Sequence, residues 1–108
     1  MGRLFENAVF LELKRRLPLN QEINYWRNKE GIEADFIIRE GLKTKKIIQV
    51  AYDITDKKTK EREIRGLTLC AKELGLKESL LITKNADSTE IVDGIKVKFV
   101  PLWKWLLR

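Results

Sequence analysis

The chain has 108 residues, 44% of them hydrophobic and 35% charged, with a formal net charge of +6. That length supports one domain with one core, and no apolar run approaches the length of a membrane span. One cysteine, Cys70, and no histidine exclude an internal disulfide, the usual zinc sites and a histidine general base.

The spacing predicts a first helix over residues 3–17. Leu4, Phe5, Ala8, Val9, Phe10, Leu11, Leu13 and Leu17 leave little of its circumference polar, so burial on most sides is expected. Pro18 closes it. Residues 22–26 alternate as a short strand, and Asn28 to Gly31 make a turn. A second strand runs over 32–39 with Gly41 in the next turn, and a third over 45–54. The charged segment Asp56 to Arg62 leads into a second helix. There Ile64, Leu67, Ala71 and Leu74 form a core-facing stripe, and Gly75 is the C-cap. A buried strand follows over 80–83. Residues 89–92 and 95–100 flank Asp93-Gly94, a two-residue hairpin signal. Pro101 opens a last helical turn, 102–107.

The order αβββαβββ predicts an α/β sandwich with a mixed central sheet. Repeats, low-complexity tracts and flexible linkers are absent from the sequence, so residues 1–108 read as a single domain. It has no Gly-rich phosphate loop, and ATP binding by this chain is not expected. A leader peptide and a membrane anchor are not expected either, and the cytoplasm is the expected compartment.

Three polar residues stand out by their order along the elements. Asp35 lies on the second strand, Gln49 fourteen residues later on the third, and Glu6 on the helix ahead of both. Alternation puts Glu33 and Asp35 on one face and Ala34, Phe36 and Ile38 on the other. It likewise puts Gln49 and Ala51 opposite Ile48, Val50 and Tyr52. If Asp35 and Gln49 meet across the hairpin, they form an oxygen-lined notch. With oxygens as the only ligands on offer, the metal such a notch suits is Mg2+ or Mn2+. Two readings fit Glu6. It shares a stripe with Leu13 and Leu17, where a carboxylate among apolar neighbours needs a partner. Alternatively it serves the positive end of the helix dipole.

The net charge favours an anionic partner such as nucleic acid, although Lys-rich surfaces are common. Arg27 and Lys29, on the turn before Asp35, suit phosphate contacts or ordinary solvation. Trp26, Trp103 and Trp105 suit stacking on unpaired bases, but packing is the simpler reading. Trp105 shares a helical face with Leu102 and Leu106, and Trp103 pairs with Leu107, so the last turn should dock on the sheet. The apolar excess there also suits a subunit interface, as in a homodimer.

The sequence resembles the PD-(D/E)XK nuclease superfamily. Within it, the resemblance is closest to the nuclease-like domain at the C-terminus of many archaeal and bacterial AAA-type ATPases, related to archaeal Holliday-junction resolvases. The matching residues begin with Gly2-x-Leu4-x-Glu6-Asn7-x-Val9-x-x-Glu12-Leu13. Tyr25-Trp26-Arg27-x-Lys29-x-Gly31-x-Glu33-x-Asp35-Phe36 follows, then Gln49-Val50-x-Tyr52. The Arg62-Glu63 pair opens the second helix, and Pro101-Leu102-Trp103-Lys104-Trp105-Leu106-Leu107 closes the chain. The resemblance implies a restriction-endonuclease-like αβββαβ core, its mixed sheet flanked by helices. It also implies a Mg2+-dependent DNA endonuclease, resolvase-like or restriction-like, with Glu6, Asp35 and Gln49 as metal ligands. Gln49 stands where the family has an acid, and Ala51 where it has the catalytic lysine. Lys29 is then the candidate substitute cation. The alternative is a binding module of the same fold, for DNA or protein, with cleavage lost.

Overall fold

A computed structural model describes residues 2–108. Helix α1 (Gly2–Arg16) is followed by strands β1 (Glu22–Arg27), β2 (Glu33–Glu40) and β3 (Lys43–Val50), helix α2 (Lys57–Leu74), strands β4 (Glu78–Thr83), β5 (Ser88–Val92) and β6 (Ile95–Pro101), and the short α3 (Leu102–Leu106). The order read from the sequence holds, with ends moved by a few residues. Two shifts matter. Strand β3 stops at Val50 rather than at residue 54. Helix α2 starts at Lys57, because Asp56 is its N-cap and accepts from Thr59 N at 3.1 Å. The charged segment is therefore the first turns of the helix.

All six strands form one sheet in the order β1-β2-β3-β4-β6-β5. The β1-β2-β3 meander is antiparallel. Helix α2 carries the chain to β4, which pairs parallel with β3 and with β6, as a crossover connection allows. Strand β5 returns antiparallel along β6. Asp93 and Gly94 turn that hairpin with φ of 52° and 79°, the double positive φ of a type I′ turn.

The core lies on both faces of the sheet. On one face α2 packs Ile64, Leu67, Cys70 and Ala71 against Ile37, Ile47, Leu81, Val97 and Phe99. On the other, α1 and α3 pack Phe5, Val9, Leu13 and Trp105 against Phe36, Ile38, Ile48, Ile82 and Val100. Arg16 fixes α3 to α1: its guanidinium lies 4.5 Å over the Trp105 ring and donates to the carbonyls of Trp105 and Leu106.

Several expectations are corrected. Helix α1 is not buried on most sides. It touches the sheet along one stripe, Phe5-Val9-Leu13, and leaves Leu4 72% and Leu11 66% exposed. Helical spacing gives a single sheet face room for only one such stripe. Ala34 does not share a face with Phe36 and Ile38 but packs in the α2-side cluster. The β1–β2 register shifts between Asn24 and Trp26, and the β2–β3 ladder begins only at Phe36↔Ile48, so regular alternation does not extend back to Ala34. Trp105 docks, but Trp103 and Leu107 are exposed. Trp26 is buried and its indole N–H donates to the Glu73 carboxylate. Among the described residues no helix is long and apolar enough to cross a membrane.

Candidate functional site

The antiparallel ladder between β2 and β3 ends at Phe36↔Ile48. Past that point side chains take over from backbone. Asp35 N donates to Gln49 Oε1 at 2.8 Å, and Val50 N donates to Asp35 Oδ2 at 2.9 Å. Each side chain satisfies a backbone N–H of the opposite strand, so neither donor is orphaned where the strands part. Gln49 then reaches sideways, its Nε2 donating to Glu63 Oε2 of α2 at 2.5 Å. Gln49 is buried, while Asp35 and Glu63 are half-buried.

These groups line a cleft of about 650 Å³ between the N-terminal parts of α1 and α2 and the parting strands. Glu6, Asp35, Gln49 and Glu63 all contribute to its walls. Glu6 is exposed there rather than set among apolar neighbours, because the buried stripe of α1 runs through Phe5 instead. Nor does it lie in the first turn of α1, which carries no acidic residue. Burial drives the Asp35 carboxyl up to about 7 from its ordinary value of 3.8. The Val50 N–H opposes this, and the negative charges of Glu6, Glu63 and Glu33 add to it.

The cations of the cleft come from α2. Lys58, Arg62 and Arg65 line it, whereas Lys29 is exposed on its turn and is not part of the wall. Arg27 is exposed too, its nearest carboxylate oxygen being Glu33 Oε1 at 3.8 Å. The signal for the α2 cations was present in the sequence. Asp56-x-x-Thr59 starts a helix at residue 57, and that start puts positions 58, 62 and 65 on one helical face. Ala51 is buried in the α2-side cluster, and its N–H donates to Ile82 O at 2.9 Å.

The donor set does not fit a tightly held divalent cation. Among the described residues, no three Asp, Glu, His or Cys side chains stand together so as to hold a metal. The Gln49 amide oxygen that would complete the set carries no charge and already accepts from Asp35 N, so it is a weak ligand. What the arrangement does is lock two strands and a helix together through one buried amide.

The fold defines the class: an α/β protein with a restriction-endonuclease-like core and a mixed sheet flanked by helices. The chain belongs to the family described as "Domain of unknown function (DUF4143)", whose model matches residues 1–105. It is 38% identical over 112 residues to the uncharacterised protein MJ1544 of Methanocaldococcus jannaschii, a match covering 98% of this chain and 25% of that protein. The chain thus spans about a quarter of the length of that relative. Its fold is similar to that of a chain in the refined half-complex from the tetradecameric assembly of Thermococcus gammatolerans McrB AAA+ hexamers with bound McrC. The TM-score is 0.67 over 94% of this chain and 28% of that one, at 13% identity. At that identity the likeness is one of fold alone.

Proposed function

We propose that this domain is a nucleic-acid-binding module of nuclease fold, DNA being the favoured partner, in which the notch is committed to structure and hydrolysis is lost. The observation that carries the reading is the Gln49 side chain. Its amide oxygen is occupied by Asp35 N and its amide nitrogen by Glu63, so the position where the resembling nucleases carry an acid is a structural tie. Ala51 offers no ammonium to orient water or balance charge. The net charge of +6 supports an anionic partner. On this reading the native notch does not hold Mg2+ or Mn2+ for chemistry, and Glu6, Asp35 and Gln49 are not catalytic residues.

The test has two parts. The chain should bind duplex DNA with an affinity that falls steeply with salt, as counterion release requires. With Mg2+ or Mn2+ it should not nick supercoiled DNA. The pair Gln49→Glu with Ala51→Lys should introduce nicking that Asp35→Ala abolishes; general acid–base or charge assistance is typically worth roughly 10²- to 10⁴-fold. Metal-dependent nicking by the unaltered chain, lost in Asp35→Ala, would return the notch to catalysis. Undetectable DNA binding at about 50 mM salt, where phosphate contacts are strong, would remove the nucleic-acid reading.

A second reading is a module working beside an AAA+ ATPase. It is supported by the fold likeness to a chain from an assembly of AAA+ hexamers and by the quarter-length coverage of the relative. Its test is ATP hydrolysis by the full-length relative; a full-length protein without ATPase activity would remove it.

A further inference from the structure

The positive charge of this molecule is not concentrated at the notch. The cleft is lined by five carboxylates, Glu6, Glu33, Asp35, Glu61 and Glu63, against three cations. A second groove, of about 330 Å³, has the opposite balance. Lys45, Lys46, Lys96, Lys98 and Arg108 line it, with Glu78 as its one acid.

This groove lies where α1 and α3 fail to cover their face of the sheet. On β6, Ile95, Val97 and Phe99 point into the α2-side cluster, so Lys96 and Lys98 point to the opposite face. On β3, Ile47 faces α2 and Ile48 faces α1 and α3, which puts Lys46 on the same side as Lys96 and Lys98. Ile48 pairs with Leu80, Leu80 with Lys98, and Glu78 with Lys96. Lys46, two residues before Ile48, lies just beyond the point where β3 and β4 begin to pair and lines the groove together with Glu78 and Lys96. Strand geometry spaces Lys96 and Lys98 by about 7 Å and sets Lys46 at least about 10 Å across the sheet from Lys96. Lys46, three residues from Gln49, stands about 10 Å along β3 from the notch.

The cations there are available. Among the described residues Lys45, Lys46, Lys98 and Arg108 have no carboxylate within 4 Å, and Lys96 has only Glu78, at 3.6 Å. The groove runs on past Lys46, Leu80 and Arg108 into a recess of about 320 Å³ beside Arg16.

The chemistry of the occupant follows from what the groove offers. Strand β4 pairs with β6 along its whole length but with β3 only from Ile48↔Leu80 onward. The short stretch of backbone left unpaired at the groove is flanked by Lys45 and Lys46, charged side chains that oppose the addition of a peptide strand. No aromatic side chain lines the groove, and Trp105 in the recess beyond it is buried with the Arg16 guanidinium over its ring, so base stacking has no platform. What remains is a flat array of ammonium groups, which suits regularly spaced phosphates and carries no sequence readout.

We propose that this uncovered half of the sheet, rather than the cleft, receives the phosphate backbone of a nucleic acid. The inference rests on the nucleic-acid-binding reading above and gives that binding its place. It is tested by fluorescence anisotropy of a short labelled DNA duplex over a salt series, using the whole chain. The variant Lys46→Gln/Lys96→Gln/Lys98→Gln changes only exposed side chains. It should lose about ten- to a hundredfold in affinity at low salt and reduce the salt slope by about 2.7, the value for three lost phosphate contacts. Removing the same charge elsewhere, in Lys14→Gln/Lys72→Gln/Lys84→Gln, should change affinity by about twofold or less and leave the slope nearly as it was. Equal losses in the two triples, or a larger loss in Arg27→Gln/Lys29→Gln than in the groove triple, would overturn the placement while leaving nucleic-acid binding intact. A chain that binds polyglutamate through the groove lysines and no nucleic acid would overturn both.

Discussion

Asp35 is held in a protonation balance that makes the stability of the domain depend on pH. Its carboxyl titrates near 7 in the folded chain and near 3.8 when unperturbed, chiefly because it is buried, with Glu6, Glu63 and Glu33 adding negative charge. Between those values the folded state binds the extra proton, so stability falls as pH rises from about 4 to about 7. Above that range the full cost of a desolvated charge is present. Asp35→Asn removes the charge while its amide oxygen still accepts from Val50 N. The variant should match the parent below about pH 4 and exceed it above pH 7 by roughly 2 kcal/mol, allowing for water in the open cleft. Denaturant titrations of both proteins across this range check it, and a difference that does not vary with pH would rule it out. At this scale the sequence was partly legible. The order of Glu6, Asp35 and Gln49 along helix, strand and strand marked groups that meet in one cleft. Glu63 as the partner of Gln49 was not legible, because a contact across fourteen residues depends on how closely α2 approaches the sheet.

That approach is set by one glycine in the middle of α2. A Cβ on Gly66 would stand 2.7 Å from the carbonyl oxygen of Glu33, at the start of β2. The helix therefore rests directly on the strand backbone, and Glu63, one turn earlier, is brought within reach of Gln49. In an exposed helix, Gly→Ala gains about 1 kcal/mol from propensity. Here the added methyl meets backbone, which cannot swing aside, and overpacking of that kind costs typically 1–3 kcal/mol. Gly66→Ala should therefore lower stability by roughly 1 kcal/mol and weaken the Gln49–Glu63 bond. Thermal unfolding checks it; a rise in the midpoint would show that α2 has slack at this contact. Most elements were readable from pattern, since the strands alternate and Asp93-Gly94 marks its hairpin. The burial of α1 was misjudged for a physical reason. Its apolar residues surround the helix, so periodicity alone cannot say which side meets the sheet. Only the fold shows that the stripe is Phe5, Val9 and Leu13, with Leu4 and Leu11 left outside.

At the scale of the whole molecule, two core clusters share one sheet. Each strand from β2 through β6, apart from the edge strand β5, supplies buried residues to one cluster or both: Ile37 and Phe36 from β2, Ile47 and Ile48 from β3, Leu81 and Ile82 from β4, Phe99 and Val100 from β6. Neither layer can separate without exposing the strand residues beneath it, so unfolding should be a single cooperative transition, as small domains usually show. The radius of gyration, 13.0 Å, is that of a compact domain of about 100 residues. Cys70 provides the probe. It is fully buried on α2 against the sheet, and burial, with the Glu73 charge, pushes its thiol up to about 12. A thiol so placed has almost no thiolate at neutral pH and no path for a reagent. Labelling by a thiol-disulfide reagent should be undetectable in the native chain. Along a denaturant series, the fraction labelled in a short pulse should superimpose on the loss of helical circular dichroism. The signal from α2 and the signal from the whole molecule would then report one event. Labelling that runs ahead of the dichroism would mean that α2 lifts from the sheet on its own, carrying Glu63 away from Gln49 and opening the notch while the rest of the fold persists.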